Sequence, residues 1–142
     1  MRGVILVGRI PRDSWAIIER VIRRYPENKE VYDNEIERLT NSSPQNDGQP
    51  KGNSVSNPVE NIVLGINAPR MERMRREIEA VESVYNALST EHQKVIRVRF
   101  WSDRYRNMPY LWMERSVSYK EAQMKRITCR FVTNVGKKLG EI

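Results

Sequence analysis

The residues best suited to chemistry in this 142-residue chain are polar side chains spaced along its last basic stretch, residues 118–140. At the α-helical period, one stripe of that stretch contains Tyr119, Gln123, Arg126, Arg130, Thr133 and Lys137. Arginine can bind guanine through two hydrogen bonds, glutamine can bind adenine similarly, and tyrosine or threonine can reach phosphate. Considered alone, this stripe fits DNA recognition and an ordinary solvated face equally well, because surface helices commonly have charged faces.

The opposite stripe of the same stretch is apolar, which predicts a helix packed on a hydrophobic core. Its members are Met124, Ile127, Phe131, Val135 and Leu139, with Val132 at the flank. Ser118 followed three residues later by Glu121 has the spacing of a capping box, so we expect the helix to begin there.

The excess positive charge of the chain lies in residues 91–142. Residues 91–142 carry twelve lysines and arginines against five acidic residues, whereas the basic and acidic residues of positions 1–90 balance, so the net charge of +7 resides in this segment. A basic segment beside a neutral one is typical of a protein that binds a polyanion. This distribution favours the DNA interpretation of the polar stripe, and double-stranded DNA is the partner that we expect.

The residues that would build an active site or a metal site are scarce. His92 is the only histidine and Cys129 the only cysteine, and no glycine-rich phosphate-binding loop is present. Glu77, Glu79 and Glu82 alternate with arginines, which is typical of solvated ion pairs. We therefore expect a protein that is not an enzyme and that uses no metal or cofactor.

Cysteine content and hydropathy also indicate a compartment. A single cysteine suits a reducing cytosol, and the longest apolar run, residues 3–8, is far too short to span a membrane. Arg9, Pro11 and Arg12 follow that run and no small-residue cleavage site does, so a signal peptide is not expected. These features predict a cytoplasmic protein without a membrane segment.

Several elements precede the last helix and would position it. Thr90 and Gln93 have capping-box spacing, and a helix from there would place Val95, Ile96 and Phe100 on its inner face. Residues 102–107 predict a turn, and Pro109 predicts the start of a short helix. The order of helix, short helix, turn and long helix is that of a DNA-binding helix-turn-helix.

The sequence as a whole predicts an all-α fold with three parts. Residues 1–40 predict a helical arm that contains either two helices, at 12–24 and 27–40, or one helix kinked by Pro26, and Asp13 or Ser14 can cap its start. Residues 41–58 predict a flexible linker, because they are rich in Pro, Gly, Asn and Ser. Residues 59–142 predict the DNA-binding domain.

The first long helix of that domain, opened by Pro69, has an apolar seam. Its residues follow alternating spacings of three and four: Met71, Met74, Ile78, Val81, Tyr85 and Leu88. The seam is shorter than three heptads, so it fits packing within the domain, including on the last helix, or the interface of a homodimer.

The quoted segments resemble a known family. Leu88, Val95, Ile96, Val98, Arg99 and Phe100 resemble the opening helix of the last domain of bacterial sigma factors. The layout is similar to that of phage regulators of the RinA/ArpU type, from the Asn57–Pro58 opening and Glu60 to the terminal Leu139–Gly140. Two departures lie in the helix-turn-helix. Trp112 stands in its first helix where a small residue is usual, and Arg115 and Ser116 stand in the turn where an apolar residue and Gly or Asn are usual.

This resemblance implies a transcription regulator that activates phage late genes together with bacterial RNA polymerase. We expect base contacts from Tyr119, Lys120, Gln123 and Arg126. We expect phosphate contacts from Arg104 or Arg106, Arg115, Arg130 and Lys137. Two alternatives are the small subunit of a phage DNA-packaging terminase and a helical adaptor whose basic face binds an acidic protein.

Overall fold

The computed structural model describes residues 10–42, 64–105 and 107–142, and within them the chain forms helices and no strand. Six α-helices lie wholly within these described residues: α1 (Arg12–Arg23), α2 (Tyr25–Ser42), α3 (Pro69–Asn86), α4 (Thr90–Ile96), α5 (Tyr110–Met113) and α6 (Glu121–Leu139). Residues 64–66 are also helical, and Arg97–Trp101 continues α4 as a π-helical turn. The predicted all-α fold is confirmed.

The break between α1 and α2 falls at Arg24, close to the interruption predicted at Pro26, but α2 begins at Tyr25 rather than at residue 27. Pro26 lies in the first turn of α2, where its missing N–H would have no helical partner anyway. The predicted capping of α1 by Asp13 or Ser14 is wrong, because α1 already begins at Arg12. The residue at the N-cap is Pro11, which has no side chain able to cap.

The hydrophobic core joins α1 to α6. Ile18 and Ile22 on α1 are completely buried in the same cluster as Phe131 and Val135 on α6. Gly136 makes the close approach possible, since a Cβ atom there would lie 2.5 Å from Ile18 Cδ1. The segment predicted as an arm is thus part of the core that supports the predicted DNA-binding helix, and the division at residues 41–58 does not follow the packing.

Helix α3 supplies the other large face of the core. It contacts both α2 and α6, and Met71, Met74, Ile78 and Val81 of the predicted seam are buried within the single chain. The alternative of packing within the domain is therefore the one observed for these residues. Arg24 and Asn28 also bind Glu77 across the α2–α3 contact at 3.1 Å.

Two other predictions concern element boundaries. Ser89, not Thr90, caps α4: its backbone is extended, and its hydroxyl accepts a hydrogen bond from the His92 amide at 3.2 Å. Residues 41 and 42 of the predicted linker belong to α2. The rest of that linker and the apolar run at residues 3–8 lie outside the described residues.

Candidate nucleic-acid interface

The start of α6 is fixed by the turn that precedes it. The carboxylate of Glu114 accepts a hydrogen bond from the amide of Glu121 at 2.9 Å, and the side-chain oxygen of Gln123 accepts one from the amide of Lys120 at 3.0 Å. A carboxylate at this end of a helix is also favoured by the helix dipole. The predicted capping box of Ser118 and Glu121 is wrong, because α6 begins at Glu121 itself.

The short helix α5 is anchored to the core by Met113, and its Tyr110 packs against the same core. Met113 is completely buried, and its carbonyl oxygen accepts hydrogen bonds from the amides of Ser116 and Val117 at 2.9 and 3.2 Å. Trp112 points outward and is 47% exposed, so its bulk does not hinder the packing of α5. The predicted order of helix, short helix, turn and long helix is observed.

The two predicted stripes of α6 separate as expected. Its apolar stripe is buried, apart from half-buried Leu139. Gln123, Arg126, Arg130 and Lys137 are exposed on the other side. Thr133 is half-buried, and its hydroxyl donates a hydrogen bond to the Cys129 carbonyl at 2.8 Å, which occupies the hydroxyl proton inside the helix.

Helix α6 is the most basic helix among the described residues. It carries five lysines and arginines against one glutamate, whereas α2 carries two against five acidic residues. Lys125 pairs with that glutamate, Glu121, at 3.1 Å. Arg126, Arg130 and Lys137 have no carboxylate partner within the described part of the chain. Unpaired exposed cations contribute little to folding stability, but they attract polyanions.

The predicted base-contacting residues divide into two groups. Arg126 and Gln123 lie on α6, although Gln123 already uses its side-chain oxygen at the N-cap, which leaves its NH₂ group to face outward. Tyr119 and Lys120 belong to the turn before α6. The ring of Tyr119 is half-buried and contacts His92 edge-on, with 5.5 Å between centroids, whereas Lys120 is exposed.

The predicted phosphate-contacting residues outside α6 also lie on the surface. Arg115 and Arg104 are exposed, and each places its guanidinium over a neighbouring aromatic ring, Trp112 at 5.1 Å and Tyr105 at 5.3 Å. Such stacking restricts the side chain without neutralising its charge. Arg106 lies outside the described residues.

Two cations that sequence reasoning missed meet at the ring of Tyr110. The Arg99 guanidinium lies 4.0 Å and the Lys125 ammonium 5.8 Å from its centroid, and Arg99 also donates to the Met108 carbonyl at 2.9 Å. Lys125 could not be recognised from its spacing, since a lysine four residues after Glu121 is typical of an ordinary ion pair. The site of Arg99 depends on the tertiary contact between α5 and the π-helical turn.

Two other properties of the described residues bear on function. None of the described helices combines the length and the hydropathy that crossing a bilayer requires. Across the same residues, no three His, Cys, Asp or Glu side chains are grouped closely enough to hold a metal ion.

Comparison with known proteins identifies a family for this chain. No curated protein and no solved structure shows significant similarity to it. Residues 16–137 match the family described as "Protein of unknown function (DUF722)", and the match extends from α1 into the last turns of α6. Since this match covers most of the sequence, the chain belongs to the DUF722 family of proteins of unknown function.

Proposed function

We propose that this protein is a phage-type transcription regulator that binds double-stranded DNA through the exposed face of α6. The observation that carries the proposal is the pair Arg126 and Arg130, exposed one helical turn apart and without carboxylate partners among the described residues. An α-helix fits the major groove, where arginine can bind the edge of guanine with two hydrogen bonds. The charge of residues 91–142 supplies the accompanying attraction to phosphate.

The position of each cation along α6 suggests its role. Recognition helices contact base edges with their N-terminal residues, so Arg126 would contact a base, with help from Gln123. Arg130 and Lys137 lie further along the same face and would contact phosphates, which fix orientation without reading sequence. In the preceding turn, Arg115 would contact the backbone beside it, and Lys120 would contact a base together with Arg126.

The second part of the proposal is a protein partner. The resemblance to late-gene regulators implies activation together with bacterial RNA polymerase, in the cytoplasm of the host cell. Met108, Leu111 and Trp112 support a protein contact, because these large apolar side chains near α5 are 40%, 62% and 47% exposed. Replacing Leu111 with Ser should leave DNA affinity unchanged and reduce activated transcription in a reconstituted assay.

The DNA part is tested by binding isotherms of the full chain at several salt concentrations. About five phosphate contacts would give a slope of about −4 to −5 in log K against log salt. Arg126→Ala should cost about 1–3 kcal/mol and relax the preference at one or two base pairs. Arg130→Ala should weaken binding to all sequences alike and reduce the magnitude of the slope by about one.

A matched control removes the same charge elsewhere. Arg38 is exposed on the acidic helix α2, where it pairs with Glu35, so Arg38→Ala should leave the isotherms almost unchanged. If Arg38→Ala and Arg130→Ala reduced DNA affinity equally, net charge alone would attract DNA. That result would overturn the assignment of α6 as the DNA-binding helix. Native mass measurement distinguishes the packaging alternative, which requires a ring of many copies, from a monomeric or dimeric regulator.

A further inference from the structure

Three aromatic rings from different elements meet around a cleft on the side of α3. The ring of Trp101, at the end of the π-helical turn, lies 5.3 Å from that of Tyr25 and 5.4 Å from that of Tyr85, with interplanar angles of 37° and 55°. Together with Val81, Glu82 and Asn86 they line a cleft of about 370 Å³. The cleft is thus lined by three aromatic side chains and one carboxylate.

Each ring is held in place by a hydrogen bond of its own. The indole N–H of Trp101 donates to the Ile22 carbonyl at 2.7 Å, the hydroxyl of Tyr25 donates to Glu82 at 2.7 Å, and the hydroxyl of Tyr85 accepts from Arg97 at 2.8 Å. These contacts fix the rings before any ligand arrives, which lowers the cost of binding. Single π-helical turns such as Arg97–Trp101 occur frequently at functional sites.

The carboxylate of Glu82 has binding capacity left. Its Oε2 accepts from Tyr25 and lies 3.5 Å from the ammonium of Lys29, whereas its Oε1 has no partner within the described residues. Burial and this carboxylate raise the pKa of the Tyr25 hydroxyl, so the hydroxyl keeps its proton and remains a donor well above neutral pH. Lys29 and Arg97 approach the cluster at its edges, and neither lines the cleft.

We propose that this cleft binds an organic cation, a guanidinium or alkylammonium group. Aromatic faces attract cations through their quadrupoles, and the attraction is largest for cations that lose little hydration when they bind. Guanidinium is more weakly hydrated than a simple ammonium ion, and a quaternary ammonium has no N–H to solvate, whereas sodium would retain its water. Glu82 supplies the counter-charge, and the proposal does not depend on DNA binding.

The experiment follows the indole N–H signals of the full chain by NMR, with the Trp101 signal assigned from Trp101→Phe. Titration with tetramethylammonium chloride or methylguanidinium chloride should shift the Trp101 signal saturably, in the millimolar range, and leave the signals of Trp15 and Trp112 nearly still. Sodium chloride at equal ionic strength is the control. Glu82→Gln should weaken the binding several-fold, whereas Lys29→Ala should strengthen it, because Lys29 competes for the same carboxylate.

Two further ligands distinguish the sources of such a cation. Tighter binding of an acetylated Gly-Arg-Gly peptide than of spermidine would indicate the side chain of a protein partner, and the reverse order a free polyamine. Either order supports the cleft as a cation site. The proposal fails if sodium chloride produces the same shift of the Trp101 signal, if no ligand saturates it, or if Glu82→Gln binds as tightly as the natural chain.

Discussion

Replacing Gly136 with Ala tests the contact between α1 and α6. A Cβ atom at this position would lie 2.5 Å from Ile18 Cδ1, closer than such atoms can approach, and 3.3 Å from Ile142, whose exposed side chain can move away. Alanine should gain about 1 kcal/mol in helix propensity. Overpacking should cost about 1–3 kcal/mol, so the substitution should leave the protein unchanged or destabilise it by up to about 2 kcal/mol.

The partner substitution Ile18→Val removes the Cδ1 atom that causes the clash. By itself it should cost about 0.5–1.5 kcal/mol, because it leaves a small cavity. In the Ile18→Val background, however, Gly136→Ala should become stabilising by up to about 1 kcal/mol, since the propensity gain remains and the clash is removed. The two substitutions should therefore be coupled by about 1–3 kcal/mol.

Urea unfolding of the natural chain, the two single variants and the double variant measures this coupling. The midpoint and the slope of each curve give the free energy of unfolding, provided that the slopes agree among the four proteins. Additivity of the two changes within about 0.5 kcal/mol would show that Ile18 does not approach Gly136. The residues of α1 would then not share the core of α6, and the sequence-based division into arm and domain would be restored.

Four other substitutions test three local features. Thr128 is buried and its hydroxyl has no hydrogen-bond partner among the described residues, so Thr128→Val should raise the free energy of unfolding by about 1 kcal/mol in urea. Glu114→Ala should lower the thermal midpoint by removing a cap worth about 1 kcal/mol, while Ser118→Ala should not, and the opposite order would restore the predicted capping box. The pKa of Tyr25 is raised above its ordinary value of 10.0 in the folded protein, so ionisation favours unfolding once the pH exceeds about 10. Between about pH 9 and 11 the natural chain should therefore lose more stability than Tyr25→Phe, measured by urea unfolding, and parallel losses would contradict the pKa shift.

Helix faces and proline-determined boundaries could be predicted from the sequence, because they depend on local periodicity and local sterics. The buried stripe of α6 around Phe131 followed from its spacing, and the start of α3 followed from Pro69. Pro26 indicated the break before α2, although the helix starts two residues earlier than predicted. The caps were harder to predict. At a given helix start, several neighbouring Ser, Thr or Asp residues can each act as the N-cap. For α6 the capping carboxylate comes from Glu114, seven residues before Glu121.

The partners of each face could not be predicted, because periodicity shows that a stripe is buried but not what covers it. Trp15, Ile18 and Ile22 had apolar spacing, yet nothing local linked them to Val135, which lies beyond the linker. In the candidate interface too, exposure could be predicted from the sequence but tertiary contacts could not. Exposure of Arg126 and Arg130 followed from the pattern, whereas the meeting of Arg99 and Lys125 at Tyr110 depends on how α5 is placed.

The contact of α1 with α6 also sets the order in which the chain can fold during synthesis. Ile18 and Gly136 are roughly 120 residues apart in sequence, so closing that loop costs about 4 kcal/mol of chain entropy. The ribosome releases α6 after the other described helices, and until then the apolar face of α1 lacks the surface of α6 that covers it. Nascent chains truncated before residue 121 would therefore expose Ile18 and Ile22, and the core of the described residues forms only when α6 has left the ribosome.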